Sequence, residues 1–76
     1  MSTVAELLSE LRRAYEEYKA ATQRGERWEK WKNYFRVAAK FCSLKCKELP
    51  RGERVKCFRN CMRAVLHGGP EAATAV

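Results

Sequence analysis

Cys42, Cys46, Cys57 and Cys61 are the residues in this chain whose type and spacing best suit chemistry. Three residues separate the members of each pair, so on a helix both sulfurs of a pair lie on one face, one turn apart. The pairs are placed symmetrically. Cys42 and Cys61, like Cys46 and Cys57, straddle a midpoint between Arg51 and Gly52. Two antiparallel helices need that symmetry to bring facing cysteines together at two levels. Leu49-Pro50-Arg51-Gly52 supplies a helix-breaking turn between them. Three chemistries are open to such a quartet. Nested disulfides, Cys42–Cys61 and Cys46–Cys57, are the first reading, and they require no cofactor. A tetrahedral zinc site on the same four thiolates is the second, although the usual Cys-x-x-Cys knuckle is absent. Free buried thiols are the third. The missing Cys-x-x-Cys also argues against redox catalysis.

Other catalytic sets are lacking, and the expectation is a non-enzymatic protein. The chain has one histidine, His67, and no aspartate. It carries no Gly-rich phosphate loop and no nucleophile–His–carboxylate set. Glu16 and Glu17 are sequence neighbours on a predicted helix, so they point in different directions.

The elements that position the cysteines follow from apolar periodicity, and the predicted fold is an all-α, three-helix array. A first helix is predicted over about 3–24, opened by the capping-box pattern Thr3-x-x-Glu6. Its stripe is Val4, Leu7, Leu8, Leu11, Ala14, Tyr15, Tyr18 and Ala21. Gly25 is the expected break, the alternative being one long helix that runs through it. A second helix is predicted over about 26–48. Its seam is Trp28, Trp31, Phe35, Ala38, Cys42 and Leu49, widened by Tyr34, Phe41 and Cys46. That breadth suggests two neighbours, one met through the cysteines and one through the aromatics. A third helix is predicted over about 53–67, with Val55, Phe58, Met62, Val65 and Leu66 as its stripe and the cysteines beside it. Gly68-Gly69-Pro70 reads as a sharp stop. The domain is therefore expected to span 1–67, followed by a flexible tail over 68–76. A chain of 76 residues builds too small a core to be robust without staples. Closing the loop from Cys42 to Cys61 would contribute about 3 kcal/mol in the chain-entropy model.

Twin Cys-x-x-x-Cys motifs on a helix–turn–helix resemble the small Tim chaperones of the mitochondrial intermembrane space. Cys57-Phe58-Arg59-Asn60-Cys61-Met62-Arg63-Ala64-Val65-Leu66 is similar to the second motif of that family. The resemblance covers residues 42–66 and is shared by plant helical-hairpin defence peptides. It implies the same outer and inner cysteine pairing, and a chaperone or assembly factor that shields apolar membrane-protein precursors. This chain departs from the family in its ten-residue segment between the motifs, its long N-terminal part and its short segment after Cys61.

Charge points to a different partner. The net charge is +7, yet residues 24–63 carry thirteen Lys or Arg against four Glu, a segment charge of +9. At 100° per residue, Lys32, Arg36, Lys40, Ser43 and Lys47 share a stripe about 80° wide on the second helix. Lys56, Arg59 and Arg63 share one face of the third. These seven cations predict a surface for a polyanion, either nucleic acid or a ribonucleoprotein, with affinity that falls steeply as salt rises. Helix one would buttress the hairpin or bind a protein partner through its leucines. Trp28, Trp31, Tyr34 and Phe35 interleave with Arg27, Lys30, Lys32 and Arg36. Their helical spacing predicts core. Exposed, they would stack on bases or form a protein-binding surface.

The chain begins without a basic stretch followed by an apolar run, and no segment approaches eighteen apolar residues. Disulfides without a secretory address fit two compartments, the mitochondrial intermembrane space or the cytosol of a hyperthermophile. Side-chain amides are limited to Gln23, Asn33 and Asn60, which leans toward the latter.

Overall fold

This computed structural model describes residues 3–74 of the chain. Three helices follow one another, α1 (Val4–Ala20), α2 (Arg24–Cys46) and α3 (Arg51–Ala73), and no strand occurs among the described residues. The bundle measures 41 × 22 × 19 Å. The all-α array predicted from periodicity is the fold observed.

Helix α1 starts where its capping pattern places it. Thr3 is extended, and its Oγ1 accepts the Glu6 backbone N–H at 3.1 Å. The reciprocal half of the box differs, because the Glu6 carboxylate accepts the Thr3 hydroxyl at 3.3 Å. One face of α1, Leu7, Leu11 and Ala14, is buried. The leucines proposed as a partner surface are thus consumed inside the molecule, which leaves α1 as the buttress.

The break between α1 and α2 falls at residues 21–23, not at Gly25. Ala21 and Gln23 are both extended (ψ 130° and 142°), and Gly25 lies in the first turn of α2. Packing decides this. Four rings interlock across the turn, with Tyr15–Tyr34 centroids 5.3 Å apart, Tyr18–Trp31 5.5 Å and Trp31–Tyr34 5.9 Å. Such pairs outweigh the roughly 1 kcal/mol that a glycine costs inside a helix.

Helix α2 lies between α1 and α3, and its buried face is rotated from the predicted seam. Tyr34, Val37, Ala38, Phe41, Cys42 and Cys46 are buried, whereas Trp28 (58 % exposed), Phe35 (46 %) and Leu49 face water. On α3 Cys61 moves to the centre, while Cys57 stays half-buried. Cys61, Met62 and Val65 are buried, while Val55 is 54 % exposed.

The predicted stop at Gly68-Gly69-Pro70 is a kink. Gly69 adopts φ 76° and ψ −174°, and the helix resumes to Ala73. Gly69, Pro70 and Ala73 are buried, so residues 68–74 fold back on the core where a loose tail is predicted. Tyr15 is the reason. A Cβ on Gly69 would press on the Tyr15 ring at 3.2 Å, and the φ of 76° itself favours glycine. Lys45 Nζ donates to the Ala73 carbonyl at 3.0 Å and holds the end of the resumed helix. Ala75 and Val76, the last residues of the predicted tail, lie outside the described residues.

Candidate nucleic-acid interface on the outer face of α2

Both disulfides form as the symmetric spacing predicts. Cys42 pairs with Cys61 and Cys46 with Cys57, with Cα atoms 5.7 and 5.9 Å apart. The Cys42–Cys61 bridge is sealed in the core, while Cys57 of the second is half-buried. All four sulfurs are bonded to one another, so the thiolates that the zinc reading needs are not free in this state. Among the described residues, no group of three or more His, Cys, Asp or Glu converges on a point. His67 is exposed and just precedes the kink.

The bridges fix α2 against α3 and thereby fix which face of α2 meets water. Lys32, Arg36, Lys40 and Lys47 are all exposed on it. Arg36 and Lys40 line a groove against α1 together with Arg13, Asn33, Glu10 and Glu17. Lys40 and Lys47 flank a second groove with Ser43, Leu44 and Leu7. At the closed end of the hairpin, Ser43 and Lys47 share a groove with Arg54, Val55 and Phe58 of α3. Lys56, Arg59 and Arg63 are exposed too, on the side of α3 turned about half a turn from Cys61 and Val65. The structure therefore gathers the four cations of α2 into one track and leaves the α3 trio as a separate face.

Of these seven cations, only Lys32 takes part in an ion pair among the described residues. Its partner is Glu29 at 3.1 Å, one helical turn earlier. That acid adjoins the stripe read as acid-free, and it partly neutralises the first cation of the series. Lys30, by contrast, turns toward α1 and pairs with Glu17 at 3.0 Å. The Glu17 hydrogen bond and charge hold its ammonium pKa above the ordinary lysine value.

Periodicity misses the aromatic part of this surface. Trp28, Trp31, Lys32, Phe35, Arg36 and Ala39 line one shallow groove. Tyr18, Arg24, Arg27, Trp28 and Trp31 line a neighbouring one. The Arg27 guanidinium stacks 5.1 Å over the Tyr18 ring and donates to its hydroxyl at 3.3 Å. Lys32 Nζ stands 5.8 Å from the Trp28 centroid. The signal was present in the sequence as the alternation of rings and cations from Arg27 to Arg36, and burial alone decides its meaning.

Comparison with protein-family models, with known proteins and with solved structures returns no match. The likeness to the small Tim chaperones thus stands on the twin cysteine motif and the two bridges. No helix among the described residues is long and apolar enough to cross a membrane.

Proposed function

We propose that this chain is a small, non-enzymatic binding module that docks on a nucleic acid, RNA or DNA within an assembly, through the outer face of α2. The observation that carries the reading is the run Arg36, Lys40 and Lys47, exposed on one side of a disulfide-stapled helix and unpaired among the described residues. Cations held on a rigid helix keep their full charge toward solvent. Phosphates that meet them release condensed counterions, which makes association favourable and salt-dependent. Lys56, Arg59 and Arg63 give the same molecule a second basic face.

The test is a titration of the oxidised protein against nucleic acid at 50 and 200 mM salt. Three phosphate contacts predict a loss of roughly 40-fold between those salts, from a slope near −0.9 per contact. Reversing Arg36 and Lys40 to Glu should remove most binding and leave helicity intact, and reversing Arg59 and Arg63 should cost less. Absent or salt-insensitive binding would reject the reading.

A second reading has its own support. Val55 and Leu49 are exposed beside the hairpin turn, and Val55 lines a groove with Phe58 and Cys46. Such apolar exposure suits a chaperone-like hold on an apolar segment. Capture of an apolar peptide that survives the Arg36/Lys40 reversal would favour it.

A further inference from the structure

We propose that the N-terminal half of α2 selects single-stranded nucleic acid by taking bases into two consecutive ring-walled slots. The inference rests on the nucleic-acid reading above and specifies its substrate. It starts from two large side chains in an unusual place. Trp28 and Phe35, seven residues apart on one helix, are each about half exposed although a packed core lies beside them. Neither stands as an isolated apolar spot. Trp28 and Trp31 form a shared wall between two adjoining grooves. On one side of that wall lie Tyr18, Arg24 and Arg27, and on the other lie Phe35, Lys32 and Arg36.

Each slot therefore offers aromatic walls and two cations, and no carboxylate lines either one. A single strand presents the complementary series, a flat π-face and one phosphate per nucleotide. Stacking on aromatic side chains tolerates any base because every base has such a face. A duplex hides those faces in its own stack and offers only phosphates. An anionic lipid surface would supply charge, but it rewards rings that project as an apolar ridge. Here the rings are the walls of grooves with cations between them. Arg27 and Lys32 already lie over the Tyr18 and Trp28 rings. The slots are thus lined by groups that stack on one another in the free protein and can exchange that stacking for a base. Beyond the slots, Lys40 and Lys47 continue the track from Arg36 toward the hairpin turn. From Trp28 to Lys47 the helix rises roughly 28 Å at 1.5 Å per residue.

The experiment titrates the full, oxidised chain with a labelled 20-mer of oligo(dT), a 20-base-pair duplex, and vesicles containing phosphatidylserine. All are run at the same moderate salt, with tryptophan fluorescence as a second readout. The single strand should bind at least about 10-fold tighter than the duplex and quench tryptophan emission. Trp28→Ala and Phe35→Ala should each weaken single-strand binding by about 5- to 150-fold, the range found for removing one stacked base, and should leave duplex binding unchanged. Phe35→Leu, which keeps the apolar volume and removes the ring, should weaken it as well. If Trp28→Ala and Phe35→Leu bind the single strand as the parent does, the slots are not base sites, while the charged track survives. Loss of single-strand and duplex binding together in Arg36→Gln/Lys40→Gln, with the ring variants intact, likewise excludes the rings as base sites. Vesicle binding that exceeds single-strand binding and depends on Trp28 would overturn the proposal in favour of a lipid surface. Absence of binding to either nucleic acid would overturn both this proposal and the reading beneath it.

Discussion

Two tyrosines set the tightest constraints at the scale of single residues. Tyr15 lies against Gly69, whose φ of 76° with an extended ψ belongs to a region open essentially to glycine alone. Gly69→Ala meets both the backbone penalty and the Tyr15 ring, so it should destabilise by about 1–3 kcal/mol or more. Urea denaturation reads this directly, and an unchanged midpoint would show that the kink relaxes without cost. Tyr34 is fully buried, and its hydroxyl donates to the Val65 carbonyl at 2.7 Å. Burial first, and the nearby Tyr15 second, raise its phenol pKa above the ordinary tyrosine value of 10. A group that holds its proton more tightly when folded contributes stability below its unfolded pKa and loses it above. Stability should therefore fall as pH climbs past 10, at up to roughly 1.4 kcal/mol per pH unit from this one group. Tyr34→Phe should lose about 1 kcal/mol at neutral pH from the missing hydrogen bond. It should also show a shallower decline between pH 10 and 11. Equal slopes for the two proteins would assign the alkaline loss to other groups.

At the scale of elements, the turn between α1 and α2 shows what local signals miss. Gly25 is the residue that propensity marks as a break, yet a Cβ there would have nothing within 4 Å, and α2 already includes it. Gly25→Ala should thus raise stability by about 0.5–1 kcal/mol, through a less free unfolded chain and better helix propensity. A drop in melting temperature would place the break back at Gly25. The cysteine hairpin was legible because sequence symmetry about one turn is a long-range statement written in local spacing. The face of α2 was not. Its apolar residues spread over two adjacent stripes, and only a neighbour on each side decides that Tyr34 and Phe41 go inward while Trp28 and Phe35 go outward. The same applies to Gly68-Gly69-Pro70. The dipeptide signals end a helix when nothing lies beyond, but Tyr15 and Lys45, far away in sequence, hold residues 69–73 against the core. Of the candidate site, the cations of α2 were legible as a stripe. Its aromatic slots were not, because Tyr18 from another helix completes one of them and the outward turn of Trp28 and Phe35 opens the other.

At the scale of the whole molecule, the bridges and the charge act against each other. Residues 24–63, on the two helices that the disulfides join, carry thirteen of the sixteen Lys and Arg, and the described ion pairs are only Arg12–Glu71, Lys30–Glu17 and Lys32–Glu29. Folding therefore crowds like charges. Removing the outer bridge by Cys42→Ala/Cys61→Ala should cost about 3 kcal/mol. A chelator should leave the melting temperature of the oxidised protein unchanged, since its sulfurs are bonded to each other. Salt supplies the sharper test. At about 0.01 M the screening length of roughly 30 Å reaches across most of a 41 × 22 × 19 Å particle. Near 0.15 M it falls to roughly 8 Å, shorter than the particle's smallest dimension. Raising salt between these values should relieve repulsion and raise the melting temperature by several degrees, since about 1 kcal/mol corresponds to roughly 4–8 °C in a domain of this size. Over the same range, affinity for nucleic acid should fall, because counterion release is rewarded less. The two responses have opposite signs and one cause. Calorimetry and a binding titration on one sample, over one salt series, measure both. A melting temperature that falls with salt would mean the cations are offset by attractive pairs, and the proposed nucleic-acid track on α2 would lose its electrostatic basis.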